Sequence, residues 1–168
     1  SFSRADNPAL SADSRFLVFE IHPPEDSLRA MKRRKVKKDE LPGDTLAIYD
    51  LRSGNLEKVS GLKAWKLPVK WSGYLAYTFE PDSLRQAKKK PKGLPLAIRD
   101  LASGAGRTLN GVGSFELAEE GATMLLTSTG SDSTFDEGVY HYDFQAANLQ
   151  PLLRRSGAYK QLSMDKAG

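Results

Sequence analysis

Short apolar runs separated by polar turns recur along the whole chain. Examples are residues 16–19, 74–77 and 124–126, and each of them follows a polar turn. These runs show little alternation of apolar and polar positions, so both faces of the strands they form should be covered by other parts of the protein. Runs of this length between turns are typical of β-strands. The pattern therefore predicts an all-β chain.

The strongest signal in the sequence is an internal repeat. Residues 46–54 read LAIYDLRSG, residues 96–104 read LAIRDLASG, and a weaker copy covers residues 139–144. The aspartate of the first copy precedes that of the second by 50 residues, and the third aspartate follows after another 43. A self-similar segment at such a period indicates a repeat architecture.

An aromatic residue recurs in step with this repeat. Trp65, Phe115 and Tyr159 follow the three aspartates by 15, 15 and 16 residues, and we expect them in the core of the repeats. Each repeat would supply an aromatic-led strand, an apolar strand, the Leu-Ala-Ile strand and a last strand such as 56–59. Repeats of about 40–50 residues with four strands are typical of β-propeller blades. The sequence therefore predicts an incomplete β-propeller with about three four-stranded blades, with an ordinary β-sandwich as the alternative.

We predict one domain over residues 1–168, with two inserted loops. The first insert covers about 22–43 and the second insert about 81–93, each between the second and third strands of a repeat. Equivalent loops of neighbouring blades emerge on one face of a propeller, so the basic segments of the two inserts should lie near each other on that face. The first insert should contain a short helix within 28–36 and should end at Pro42 and Gly43.

The basic residues are concentrated in these inserts. The chain has 25 basic and 21 acidic residues, but seven of the basic ones fall within 29–38 and five within 85–92. Without these twelve cations, 13 basic residues remain against 21 acidic ones, a net charge of −8. The candidate residues for contact with an anion or a partner are Lys32, Arg33, Arg34, Lys35, Lys37, Lys38, Lys88, Lys89 and Lys90.

A solvated insert is the simpler interpretation of these cations, and a polyanion-binding surface is the functional alternative. Residues 29–38 contain no aromatic side chain that could stack on bases. A nucleic-acid-binding domain normally also spreads basic charge over a whole face. We therefore do not expect nucleic acid as a partner.

Two small groups of residues were candidates for a metal site. Asp132, Asp136 and Glu137 could supply oxygen ligands for Ca²⁺, but their spacing does not match an EF-hand loop, so a solvated turn is the simpler interpretation. The two histidines, His22 and His141, are 119 residues apart, and a zinc site would need further nitrogen ligands or close carboxylates. We expect His141 within a strand and His22 at a strand end, and we predict neither a metal nor a cofactor.

The sequence shows no catalytic motif. The glycines of 104–106 and 111–113 lack the Gly-Lys-Ser/Thr of a phosphate-binding loop, and we expect them in hairpin turns. Segment 111–115 comes nearest to the Gly-x-Ser-x-Gly nucleophile elbow and fails at its last residue. The absence of cysteine excludes disulfides and a cysteine nucleophile. No apolar run approaches 18 residues, so we predict no membrane span.

Several segments resemble a known family. Residues 10–19 (LSADSRFLVF) resemble the turn and strand of TolB-like and peptidase propellers. Residues 21–29 (IHPPEDSLR), a basic stretch and residues 38–49 (KDELPGDTLAIY) together resemble the N-terminal propeller of bacterial exported serine peptidases of the prolyl oligopeptidase family. Residues 70–77 (KWSGYLAY) fit the same group. The resemblance covers most of the chain and is strongest over 10–77.

The resemblance implies a role that is not catalytic in this chain. Enzymes of the family carry their catalytic Ser, Asp and His on an α/β-hydrolase domain, and no residue here corresponds to any of the three. The implied role is to gate the access of peptides to that domain in a periplasmic or extracellular serine peptidase. The implied partners are the rest of the propeller, the hydrolase domain and the peptide substrate.

Two further expectations concern partners. An incomplete propeller exposes apolar blade surface, so we expect the chain to associate with another copy of itself or with further propeller strands. The alternative functions are a stand-alone propeller-like interaction module and a polyanion or nucleic-acid binder that acts through the inserts.

Overall fold

A computed structural model describes residues 4–37, 40–85, 87, 90–131, 135–157, 159 and 162–166. The described residues form ten β-strands and two short helices, and no helix among them is both long and apolar enough to cross a membrane. In chain order the elements are β1 Ala5–Leu10, β2 Phe16–Ile21, α1 Glu25–Arg33, β3 Asp44–Asp50, β4 Leu56–Lys66, β5 Tyr74–Phe79, α2 Asp82–Arg85, β6 Leu94–Asp100, β7 Gly106–Leu117, β8 Thr123–Ser128, β9 Gly138–Asp143 and β10 Asn148–Arg154.

The chain divides into two compact units. The first unit comprises Ser1–Ala64 and Phe79–Lys90, and the second unit comprises Trp65–Thr78 and Pro91–Gly168. The division falls inside β4 and β5. The prediction of one domain over residues 1–168 stays a prediction, because two compact units can belong to one domain or to two.

The first unit is built on four antiparallel strands. β1 pairs with β2, β2 with β3 and β3 with β4, so that neighbours in the sequence are neighbours in space. Residues 46–48 are buried one after another, as the lack of alternation in this apolar run predicted. The core of the unit consists of Phe16, Val18, Phe19, Leu46, Ala47, Ile48 and Leu62.

The second unit follows the same antiparallel order from β5 to β10. Its core is a cluster of buried side chains from consecutive strands, and Phe115, one of the three repeated aromatic residues, belongs to it. Trp65 and Tyr159, in contrast, are only partly buried. The cluster contains Ala76, Leu96, Ile98, Leu109, Val112, Phe115, Met124, Leu126, Tyr140, Tyr142 and Phe144.

Two strands are longer than the sequence indicated. β4 and β7 each join the strand expected to end one repeat to the aromatic-led strand expected to begin the next. In β7 the residues up to Val112 pair with β6, and the residues from Val112 onward pair with β8. The register shifts at this change of partner, and Gly111 there has a φ of 68°. A bulge at a glycine lets a strand bend without ending.

The expectation that 111–113 forms a hairpin turn is therefore wrong, because these residues lie inside β7. The corresponding expectation for Gly104 is confirmed. Gly104 has a φ of 73° in the turn between β6 and β7. Of the two glycine-containing segments, only this one is a turn between strands.

The first insert contains the expected helix, which begins three residues earlier in the chain than the predicted segment 28–36. α1 begins at Glu25, after Pro24, and ends at Arg33. Acidic residues in its first turn and basic residues in its last turn complement the helix dipole, which explains the earlier start. β3 begins at Asp44, directly after Pro42 and Gly43, as predicted.

Candidate functional site

The inserts meet in the first unit. α2 lies in the second insert, and its Arg85 guanidinium donates a hydrogen bond to the backbone carbonyl of Leu41 in the first insert. This contact brings the ends of the two inserts together, and the proximity of the two basic segments stays a prediction, because Lys38, Lys88 and Lys89 fall outside the described residues. It joins the last residues of the first insert to the first residues of the second.

The cations that sequence analysis selected lie mostly on the surface. Lys38, Lys88 and Lys89 fall outside the described residues. Lys90 is exposed, and its ammonium group lies 3.0 Å from the Glu80 carboxylate. The selected cations of the first insert that the structure describes are all exposed, and they are Lys32, Arg33, Arg34, Lys35 and Lys37.

Glu80 is the centre of an ion-pair cluster at the base of the inserts. Its two carboxylate oxygens lie 2.8 Å from Lys63 Nζ and 3.0 Å from Lys90 Nζ. The hydrogen bond from Lys63, followed by that from Lys90, lowers the pKa of Glu80. The Glu80 side chain is 11% exposed, and the Glu80 N–H donates to the Gly61 carbonyl at 2.8 Å. Both the side chain and the backbone of Glu80 are thus fixed.

A small recess opens beside Glu80. Its volume is about 130 Å³. Three cations and one carboxylate line it, so its net charge of +2 favours an anionic group such as a carboxylate. The residues that line the recess are Leu41, Gly43, Gly61, Lys63, Glu80, Arg85 and Lys90. Sequence analysis selected only Lys90 of this group, because the others come from strands and loops far apart in the sequence.

A larger polar pocket lies in the second unit. Its volume is about 620 Å³, and hydroxyl groups dominate its wall. The Glu137 carboxylate accepts hydrogen bonds from Ser156 Oγ at 2.8 Å and from the Gly157 N–H at 3.2 Å. These hydrogen bonds lower the pKa of Glu137, and the one from the Ser156 hydroxyl has the largest effect. The lining residues are Lys92, Gly113, Ser114, Thr127, Ser128, Thr129, Glu137, Ser156, Gly157 and Tyr159.

The acidic loop that is the candidate for binding Ca²⁺, with Asp132, Asp136 and Glu137, contributes hydrogen bonds within the protein instead. Asp132 lies outside the described residues. Asp136 acts through its backbone carbonyl, which accepts a hydrogen bond from the Tyr140 hydroxyl at 3.0 Å. Glu137 is bound to Ser156 and Gly157. The two described acidic residues of this loop, Asp136 and Glu137, therefore make separate contacts and do not form a Ca²⁺ ligand set together.

Both histidines lie where the sequence placed them. His141 is in β9, opposite Leu125 of β8. His22 follows the last residue of β2, and carboxylates approach both of its ring nitrogens. The hydrogen bond that the imidazole donates to the Asp44 carboxylate, with a smaller contribution from Asp6, raises the pKa of His22. The sequence alone does not indicate these neighbours of His22, because only strand pairing brings residues 6, 22 and 44 into contact.

The segment nearest to a nucleophile elbow has no such geometry. Ser114 lies inside β7 rather than at a turn from a strand into a helix. Its Oγ is 3.0 Å from Thr127 Oγ1 of the neighbouring strand. The Thr127 hydroxyl beside Ser114 cannot serve as the general base that histidine provides in a Ser-His-Asp triad.

Comparison with known proteins identifies the fold. No family model and no curated protein matches the sequence. Among solved structures, the β-propeller domain of the trilobed protease from Pyrococcus furiosus, which has an open velcro topology, matches with a TM-score of 0.51 and 12% identity over 89% of this chain and 41% of that chain. A prolyl endopeptidase matches with a TM-score of 0.52 and 13% identity over 91% of this chain and 22% of that chain.

The chain has a β-propeller fold. At identities of 12% and 13% the likeness shows the fold alone, and the propeller prediction is confirmed by it. This propeller chain spans less than half the length of the structures that it matches.

Proposed function

We propose that this chain is a non-catalytic propeller segment of a prolyl oligopeptidase-like serine peptidase, which gates the access of peptides to a separate hydrolase domain. The observation that carries the proposal is the likeness of about 90% of the chain to propeller-containing peptidases. One of these is the propeller domain of a protease, and the other is a prolyl endopeptidase in which inter-domain dynamics plays a role in catalysis and specificity.

The chemistry of the chain supports a division of labour between domains. The sequence has no Gly-x-Ser-x-Gly segment, and Ser114 of the nearest segment lies within a strand. Peptide hydrolysis would therefore depend on a Ser, an Asp and a His of the hydrolase domain. The propeller would contribute by selecting which peptides reach them. We place the parent enzyme in the periplasm or outside the cell, following the sequence resemblance.

An activity-based probe tests the proposal. Antibodies raised against the recombinant chain would capture the natural polypeptide from its source cells, and the captured material would be treated with a fluorophosphonate, which labels reactive serines. We expect a labelled polypeptide longer than 168 residues that cleaves proline-containing peptides. Capture of an unlabelled polypeptide of 168 residues, without a labelled partner, would contradict the proposal. The recombinant chain alone is the control and should stay unlabelled.

A stand-alone interaction module that contacts a polyanion is the second candidate. The observation that favours it is the row of five exposed cations between Lys32 and Lys37. Binding to a DNA duplex or to heparin that weakens steeply with salt, and is lost in the Arg33→Gln/Arg34→Gln/Lys35→Gln variant, would support it. The gating proposal predicts that this variant and the wild type elute together from both affinity matrices.

A further inference from the structure

Four polar side chains project from one face of the first three strands. Asp6 of β1 lies directly opposite Glu20 of β2. His22 is two residues after Glu20. Its backbone N–H donates to the Arg4 carbonyl at 3.1 Å, so the backbone pairing with the residue before β1 continues at this position. The register of β2 with β3 ends at the pair Ile21 and Thr45, and His22 and Asp44 are the next residues beyond it, with their side chains in contact. Opposite residues, and residues two apart on one strand, share a face of a sheet.

The imidazole of His22 lies at the centre of this group. Its Nδ1 is 2.8 Å from Asp44 Oδ1, and its Nε2 is 3.5 Å from Asp6 Oδ2. One ligand atom from each of Glu20, His22 and Asp44 lies within 4.8 Å of the other two. The side chains of His22 and Asp44 are each 41% exposed, so an ion from solvent can reach them.

We propose that Glu20, His22 and Asp44 bind a zinc ion, with His22 coordinating through Nδ1 and Asp6 orienting the ring from Nε2. Ligands of a tetrahedral zinc site lie about 3.3 Å apart, given metal–ligand distances of about 2.0–2.1 Å. The candidate ligand atoms lie within 4.8 Å of one another, so zinc binding would require them to move closer together. The fourth position stays open to water or to an oxygen of a bound group.

The chemistry of the ligand set selects the class of metal. Imidazole nitrogen suits zinc and similar transition metals, whereas Mg²⁺ and Ca²⁺ prefer oxygen ligands throughout. A histidine that ligates a metal usually donates its other N–H to a carboxylate, and Asp6 is placed to accept it. Coordination through Nδ1 leaves the ring proton on Nε2, where that hydrogen bond needs it.

The charge of the group favours a dication. Asp6, Glu20 and Asp44 carry three negative charges around an imidazole that is neutral when it binds metal, and the Arg4 guanidinium, which donates to the His22 carbonyl at 3.1 Å, brings the net charge to −2. Asn7 Nδ2 donates a hydrogen bond to Glu20 Oε1 at 3.1 Å, which helps to hold the Glu20 side chain in place. Sequence analysis predicted no metal because only two histidines were available. Strand pairing supplies the close carboxylates that such a site requires.

Calorimetric titration of the untagged chain with ZnCl₂, after treatment with a chelator, tests the site. We expect one zinc ion per chain. His22→Gln should weaken binding at least tenfold, and Asp6→Asn should weaken it about tenfold, as loss of an outer-shell partner typically does. His141→Gln and Glu25→Gln are matched controls in which affinity should not change.

Two results would overturn the site. One is the absence of saturable zinc binding by the folded chain. The other is an affinity of the His22→Gln variant within twofold of the wild type. Circular dichroism of each variant checks that it is folded, and Asp44→Asn replaces His22→Gln if the latter does not fold. Displacement of the bound zinc by an equimolar concentration of Ca²⁺ would exclude zinc as the ion that the site selects.

Discussion

The aspartates that define the repeat act on the backbone of the turns that follow them. Each of Asp50, Asp100 and Asp143 accepts hydrogen bonds from the N–H groups two and three residues later, at 2.8–3.4 Å. A short acidic side chain that satisfies the donors of its own turn stabilises that turn. Their recurrence at matching positions therefore reflects the geometry of the repeat and not a shared ligand.

Asp50 differs from the other two because it also forms an ion pair. The Arg15 guanidinium donates to its carboxylate at 3.1 Å, and this contact, with the N–H of Arg52, lowers the pKa of Asp50 to about 2. The ordinary value of 3.8 lies above this folded-state value. The carboxylate therefore stabilises the fold at neutral pH, and this contribution is lost as the pH falls through 3.8 towards 2.

The Asp50→Asn variant tests this linkage, because asparagine keeps an oxygen for the turn but loses the ion pair. Urea unfolding should show the variant to be less stable than the wild type near pH 6, and the difference should shrink as the pH approaches 2. The Arg15→Gln variant should show the same trend. A difference in the free energy of unfolding that does not depend on pH would contradict the account.

Single residues were predictable where they belong to a pattern. The repeated aspartates, the turn at Gly104 and the strand position of His141 follow from the sequence. The clusters around Glu80 and His22 do not, because their members come from separate strands and carry no shared motif. Cross-strand register brings them together, and one sequence without the pairing does not reveal that register.

At the level of elements, two glycines with a left-handed backbone conformation lie inside long strands. Gly61 in β4 and Gly111 in β7 are 50 residues apart, and both have positive φ, at 78° and 68°. Sequence analysis counted separate strands on either side of each glycine, because glycine usually punctuates a strand. The pairing continues past both positions, so the strands expected on either side of each glycine form one continuous strand.

Gly61 has a further role, because a Cβ there would clash with the carbonyl of Glu80. Gly54, in a turn, has a similar φ of 71°, and its nearest heavy atom would be 3.8 Å from a Cβ. Gly54→Ala should therefore cost about 1 kcal/mol of backbone strain. Gly61→Ala should cost several times as much, on the order of 3 kcal/mol, because the clash is added.

Thermal unfolding of the two variants measures the difference. Each kcal/mol corresponds to a shift of about 2–4 °C in the melting temperature of a chain of this size. Gly61→Ala should therefore melt well below Gly54→Ala or fail to fold. Equal melting temperatures would show that Glu80 does not approach Gly61 closely.

At the scale of the whole chain, some contacts within the second unit join residues that are one repeat length apart in the sequence. Lys66 pairs with Glu116, Lys70 pairs with Glu120, and the Trp71 indole N–H donates to the Ala118 carbonyl at 3.0 Å. The two ion pairs each join residues 50 positions apart. Equivalent positions of adjacent repeats therefore face each other, which explains why the repeat alone was enough to predict a propeller fold.

The exposed apolar residues of β10 lead to a prediction about association. Leu152 is 60% and Leu153 is 45% exposed, and β10 pairs with β9 at the end of the strand order in the second unit. Exposed edges with apolar side chains favour pairing with another chain. We therefore expect the chain to self-associate with increasing concentration.

Analytical ultracentrifugation of the Leu152→Lys/Leu153→Lys variant checks this, because charges on an edge strand oppose pairing. The variant should stay monomeric at concentrations at which the wild type associates. Leu51→Lys is the matched control, since Leu51 is 48% exposed in a turn and should not change association. A wild-type chain that stays monomeric at all concentrations would contradict the prediction.

The central claim, a propeller segment of a serine peptidase, is tested most directly by sequencing the natural transcript beyond the codon for Gly168. The account predicts further repeats of four strands, then a Gly-x-Ser-x-Gly segment followed by an Asp and a His in that order. A stop codon shortly after Gly168 would contradict the claim. The chain would then be an interaction module, with the cations of its inserts as the leading candidates for contact.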